Sequence, residues 1–124
     1  MAVTSKPGFP CRISLEDAEI GEEVILLPFT HHDVASPYRA SGPIFIRNIK
    51  TNREWRTNEV PPVASTRLLS FRGYDGEGMM LHATVAEGVD FAQTVSAMFE
   101  RPAIQYIHIH NAKPGCFSCE VRRA

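Results

Sequence analysis

The chain has 124 residues, a formal net charge of −1 and 44% hydrophobic residues. That is the length of one ordinary domain, so a single domain over residues 1–124 is expected, with a core large enough to fold without metal or disulfide. The basic residues are scattered, so nothing recommends nucleic acid as a partner. The longest apolar run, "VILLPF", is far shorter than the roughly 20 residues a membrane-spanning helix needs. The opening "MAVTSKPGFPC" has no apolar signal core, and the three cysteines then read as reduced thiols in a cytoplasmic protein.

Most segments in chain order read as strands. "CRISL" (11–15) alternates Cys11, Ile13 and Leu15 against Arg12 and Ser14, the period of a half-buried strand. "EVILLPF" (23–29) is a continuous apolar run and reads as a buried strand. The next stretch, "THHDVASPYRASGPIFIR" (30–47), reads as a polar loop whose "SGP" turn leads into the strand "PIFIRNI" (43–49). Residues 50–65, around Trp55, read as a long polar loop of the kind used for lids or partner contacts. "TRLLSFRGY" (66–74) and "MMLHATV" (79–85) flank Asp75-Gly76, a hairpin signal. "GYDGEG" is not read as a phosphate loop, because it joins two strands instead of opening a helix.

A helix is expected over residues 90–101. Asp90 and Gln93 form a capping-box-like pattern, Phe91, Val95, Met98 and Phe99 recur at helical spacing, and Pro102 ends it. "IQYIHIH" (104–110) and "CFSCEVR" (116–122) then form a last strand pair joined by "NAKPG". The expected fold is α+β: a mainly antiparallel sheet, with one helix inserted before the last two strands.

The chemistry concentrates in "IHIHNAKPGCFSC" (107–119). Strand alternation puts Tyr106, His108 and His110 on one face and Ile107 and Ile109 on the other. Two imidazoles on one face can share acid-base work or bind a metal, so His108 and His110 are candidates for Zn or Fe. A cupin-type metal site also needs a nearby acid, and Glu120 stands beyond a turn. A closed zinc site using Cys116 and Cys119 is disfavoured, because strand positions three apart face opposite ways; Cys119 reads as a small buried hydrophobe. Cys116 follows a Pro-Gly turn near the imidazoles, which can raise its thiolate fraction. Asn111 can orient a histidine or donate to an oxyanion. Cys116, His108, His110 and Asn111 are therefore candidate catalytic residues, with Cys11 as a second thiol. Arg39 offers a planar fork for carboxylate or phosphate. Ser41, Tyr38 and His31 complete a candidate substrate-binding set.

"PGFPCRISLEDAEIGEEVILL", "SPYRASGPIFIR", "YDGEGMM" and "YIHIHNAKPGCF" together resemble the bacterial domain-of-unknown-function 1203 family over nearly the whole chain. The matching motif positions include Cys11, His31, Arg39, Ser41, Gly42, Asp75, His108, His110, Asn111 and Cys116. Relatives in that family usually carry a longer segment before "PGFPCR", which implies a shortened front here, with either one side opened or a homodimer favoured. The family name brings no mechanism.

The leading expectation is a small soluble enzyme using Cys/His acid-base or nucleophilic chemistry on a polar or anionic small molecule. A metal-dependent enzyme or metal-binding protein, and a non-catalytic module gripping ligand or protein through the Trp55 loop and Arg39, are the alternatives. A Cys11–Cys116 disulfide or redox switch is a further one.

Overall fold

The computed structural model describes Ile20, residues 24–47, Ala64 and residues 66–123. The strand expected over 11–15 and the Trp55 loop, Ala64 apart, lie outside these residues, as does Cys11. Within the described residues the chain forms β1 (Val24–His32), β2 (Ala40–Arg47), β3 (Leu68–Tyr74), β4 (Met80–Glu87), α1 (Phe91–Phe99), β5 (Tyr106–Asn111) and β6 (Phe117–Arg122). Strands β1 and β2 pair as an antiparallel hairpin. The other four form an antiparallel sheet in the order β4-β3-β5-β6. The expected α+β architecture, mainly antiparallel with a helix before the last two strands, is the one observed.

The helix packs on one face of the four-stranded sheet. Leu69 and Phe71 of β3 and Ile107 and Ile109 of β5 are fully buried there against Phe91, Met98 and Ile104. Phe71 meets Phe91 edge to face, with ring centroids 5.5 Å apart. Each such side chain contributes roughly 1.5–3 kcal/mol by leaving water. Gly73 makes the close approach possible, since a Cβ there would stand 2.8 Å from Ile104 and 3.1 Å from Met98. Cys119 is buried in the same core, in keeping with its reading as a small hydrophobe.

Helix α1 is shorter than expected and starts differently. A 3-10 turn over Gly88–Asp90 precedes it and leaves Asp90 at φ −97°, ψ 14°, with no side-chain capping bond. The extended backbone that lets a capping side chain fold back onto the first turn is absent, so the capping box is not formed. Thr94 donates to the Asp90 carbonyl instead. At the other end Arg123 donates to the carbonyls of Phe99, Arg101 and Ile104 at 2.9 Å. That basic side chain supplies the C-terminal partners a helix lacks.

Two expectations for the first half change. β1 reaches His32, and its apolar run is not uniformly buried: Leu26 and Phe29 are 52% and 43% exposed. A two-stranded hairpin has a face with no sheet behind it, so apolar composition alone cannot ensure burial. "SGP" is not a turn; Ser41 and Gly42 lie within β2, and the chain reverses over residues 33–39.

Candidate functional site

The face of the four-stranded sheet away from the helix carries a different set of residues. Antiparallel register places Ser70, Arg72 and Tyr74 of β3 opposite His110, His108 and Tyr106 of β5. These in turn stand opposite Phe117, Glu120 and Arg122 of β6. His108 is the centre of this array, with a guanidinium on one side and a carboxylate on the other. Phe117 reaches this face through a β-bulge between Ile109 and His110. The extra residue, Ser118, lets Phe117 and Cys119 lie on opposite faces although they are two apart.

The tip of the β1–β2 hairpin covers the array. A register irregularity between Phe29 and His32 breaks strand alternation, so two consecutive histidines both reach the sheet. His31 lies 5.0 Å from the rings of His110 and Phe117 and 6.4 Å from His108. His32 lies 4.2 Å from Tyr74 and 4.9 Å from His108. His108 and His110 are only 1% and 2% exposed. The half-exposed imidazole face that a single sheet would give is therefore closed by the hairpin. His31 and Arg72 are half-buried, so solvent meets the cluster at those two side chains.

Hydrogen bonds fix three imidazole tautomers. His32 Nδ1–H donates to the Tyr38 carbonyl at 2.7 Å, so its Nε2 accepts from the Tyr106 hydroxyl at 2.7 Å. His110 Nδ1–H donates to the Gly115 carbonyl at 2.8 Å, leaving Nε2 with the lone pair. His108 Nε2–H donates to Glu120 at 3.0 Å, leaving the lone pair on Nδ1. That Nδ1 and the Nδ1 of His31 are buried with no hydrogen-bond partner among the described residues. A buried polar atom without a partner costs about 1–3 kcal/mol, and these two belong to neighbouring imidazoles of one cluster; Asn111 Oδ1 and Ser118 Oγ are likewise buried without a partner among the described residues.

The electrostatics keep His31 and His110 neutral beside the charge of Arg72. Burial holds His31 down to about 4, helped by His108, His32 and Arg72. Burial also holds His110 down to about 4, against the pull of its bond to Gly115 and with the help of Arg72. Glu120 is lowered by the His108 hydrogen bond first, burial opposing, and then by Arg122, with which it forms an ion pair. Tyr74 and Tyr106 are both raised, chiefly by burial, and stay protonated donors near neutral pH.

The residues singled out in the sequence are not all brought together. His31, His108 and His110 are in the cluster. Asn111 alternates onto the face of Ile107 and Ile109, opposite Leu69, and its amide donates to Cys116 Sγ at 3.2 Å. The Asn111–Cys116 pair thus lies at the end of the face that carries Ile107 and Ile109. Cys116 and Cys119 are not joined to each other. Arg39 is exposed and paired with Asp33 at 3.2 Å, and Ser41 is exposed on β2. Tyr38 contributes its carbonyl to His32, with its ring 6.2 Å from Tyr74. Among the described residues no three His, Cys, Asp or Glu side chains are arranged to hold a metal ion, and no helix is long and apolar enough to cross a membrane. A groove of about 640 Å³ between β4 and α1, lined by His82, Asp90 and Arg101 among others, lies on the helix side of the sheet and touches none of the clustered imidazoles.

Four participants escaped the sequence reading: His32, Arg72, Tyr106 in its bonding role, and Glu120. The signal for them was register. Once the last two strands are paired as a hairpin, Glu120 is the direct neighbour of His108, and the alternation Ser70-Arg72-Tyr74 in the adjoining strand supplies the third row.

A family model described as "Protein of unknown function (DUF1203)" matches residues 8–123. The chain belongs to that family. No curated protein and no solved structure matches it.

Proposed function

We propose that this protein is a small cytoplasmic enzyme that performs acid-base chemistry on a polar or anionic small molecule, with His108 as the general base. The observation that carries the reading is the row Arg72–His108–Glu120 with a partnerless buried Nδ1 at its centre. Glu120 holds the imidazole in the tautomer whose Nδ1 can accept a proton, and it stabilises the imidazolium that results. His31, neutral beside it, adds no competing charge. Tyr74 and Tyr106 remain protonated, the Tyr106 hydroxyl donating to His32. The base is thus His108, and Cys116, bonded by Asn111, is given no step.

The test is turnover of a panel of small hydroxy acids, phosphate esters and lactones by native protein and variants. Activity is expected to fall about a hundredfold or more in His108→Gln, which keeps the Nε2-like donor to Glu120 but lacks the base. Glu120→Gln should fall by less and shift the pH profile, while Cys116→Ser stays near native. Native activity in His108→Gln sinks the reading, and loss in Cys116→Ser returns the chemistry to the thiol.

A second reading, metal-dependent chemistry with Zn or Fe, is favoured by one observation. His108 and His110 each donate one N–H to a carboxylate or a backbone carbonyl, the arrangement that orients metal-binding imidazoles. Elemental analysis before and after zinc or iron addition tests it: a stoichiometry near zero in both counts against it.

A further inference from the structure

We propose that Arg72 makes this cluster a receptor for a small oxyanion that also carries a proton to give: a carboxylate or phosphate group held by the guanidinium, with an O–H or N–H of the same molecule reaching His108 Nδ1. This inference rests on the acid-base reading and names its substrate class. Three observations carry it.

The first is that Arg72 has donors to spare. Its Nε donates to Ser70 Oγ at 3.2 Å, and among the described residues it forms no ion pair with a carboxylate. A guanidinium carries five N–H donors in a fixed fork, so the outer edge that matches an oxyanion remains. Glu120 does not neutralise it. That carboxylate stands one strand further away, beyond His108, and is bonded by His108 and Arg122.

The second is spacing. Arg72 and His108 are direct cross-strand neighbours, on strands about 4.8 Å apart. A molecule with its anionic group on Arg72 can present a hydroxyl one or two bonds away to the base. An α-hydroxy carboxylate or a phosphate monoanion has those dimensions.

The third is selectivity by charge. His31 and His110 are uncharged at neutral pH and Glu120 is engaged by His108 and Arg122, so the charge with open donors on this face is that of Arg72. His31 and Arg72 are the half-buried members of the cluster, so a ligand meets the guanidinium first. Arg39, the residue whose type first suggested anion binding, is instead exposed and already paired with Asp33.

The experiment follows the imidazole resonances of the full chain by NMR during titration with inorganic phosphate, glycolate, sulfate and acetate. Phosphate and glycolate carry an O–H; sulfate and acetate are the matched anions without one at neutral pH. Saturable shifts of His31 and His108 are expected with phosphate, glycolate or both, and the stronger of the two identifies the anionic group. Sulfate and acetate should bind severalfold more weakly. Arg72→Gln should weaken binding at least about tenfold, the loss of a charge-assisted pair. Arg72→Lys, which keeps the charge and loses the fork, should be intermediate and guards against a folding defect in the first variant. Arg101→Gln, on the other side of the sheet, should bind as native.

Native-like phosphate and glycolate binding in Arg72→Gln, or no saturable shift with any anion, overturns the proposal. Equal binding of the anions with and without O–H overturns its proton-donor half. His108→Gln separates the two ideas: anion binding that persists while turnover is lost supports both, whereas turnover that persists sinks the acid-base reading and leaves the Arg72 result to stand alone.

Discussion

Ile107 and Ile109 on one side of β5, and Tyr106, His108 and His110 on the other, share a backbone and are all buried, yet they bury under different rules. On the helix side the groups removed from water are hydrocarbon, and shape is the only demand made of their neighbours. On the hairpin side each buried nitrogen needs a partner, and the carbonyls of Tyr38 and Gly115, the Tyr106 hydroxyl and Glu120 provide most of them. Two nitrogens are left over. The apolar face can be judged from the stability it contributes. The polar face is better judged from what it holds ready.

That contrast can be broken most forcefully from the apolar side. Ile107→Ala should cost about 2–5 kcal/mol, read as a lowered midpoint in denaturant, with little dependence on pH between 4 and 7.

The polar side should respond to pH instead. His110 titrates near 6.5 when unfolded and at about 4 when folded. Its neutral form is therefore favoured by folding: the contribution is complete above pH 6.5 and is lost as pH falls toward 4. The loss is on the order of 3 kcal/mol for a fully buried imidazole. His31 adds a smaller, solvent-screened contribution of the same sign. His110→Asn, which keeps a donor for the Gly115 carbonyl, should flatten the stability–pH curve between 4 and 6.5. An unchanged slope would mean that the imidazole face is open to water.

Glu120→Gln should cost about 1–2 kcal/mol near neutrality by weakening a charge-assisted bond to a buried imidazole. Glu120 is lowered on folding, so its contribution is present above its ordinary 4.5 and lost as pH falls through the folded value. Native and variant stabilities should converge in acid, which chemical denaturation at pH 7 and pH 3 will show.

Gly115→Ala should cost about 1 kcal/mol. Gly115 sits at φ 80° with nothing within 4 Å of an added Cβ, so backbone strain is the whole effect. The same residue's carbonyl holds His110, so the variant should also perturb the His110 resonance. The smallest effect belongs to Asp33→Asn, which removes an exposed ion pair with Arg39 and should change stability by less than about 1 kcal/mol.

How much of this was legible beforehand follows the same division. The strands from Leu68 onward and the helix could be read because alternation, turn residues and helical spacing each act over a few neighbours. The Tyr106-His108-His110 face could be read for the same reason. The partner of His108 could not, because Glu120 becomes a neighbour only when a hairpin register is chosen. Arg72 could not, because nothing local distinguishes an arginine in a strand facing solvent from one facing a second sheet. Asn111 was grouped with His110 by proximity in sequence, and the pleat then sent it to the other side. Leu26 was read as buried from its composition, whereas burial depends on what lies behind a strand.

The two register irregularities, at Phe29/His32 and at Ile109/His110, make this fold more sensitive to length than to chemistry at those places. Ser118 could be exchanged for another small residue with modest effect. Its deletion would close the bulge with Phe117 still opposite His110, whereas flattening the bulge with Ser118 retained would set Phe117 opposite Asn111 and send that ring toward the helix. Losing the bulge while keeping its extra residue would thereby unsort the two faces more thoroughly than most substitutions, and a change of length beside either irregularity is where a functional copy of this domain should be least forgiving.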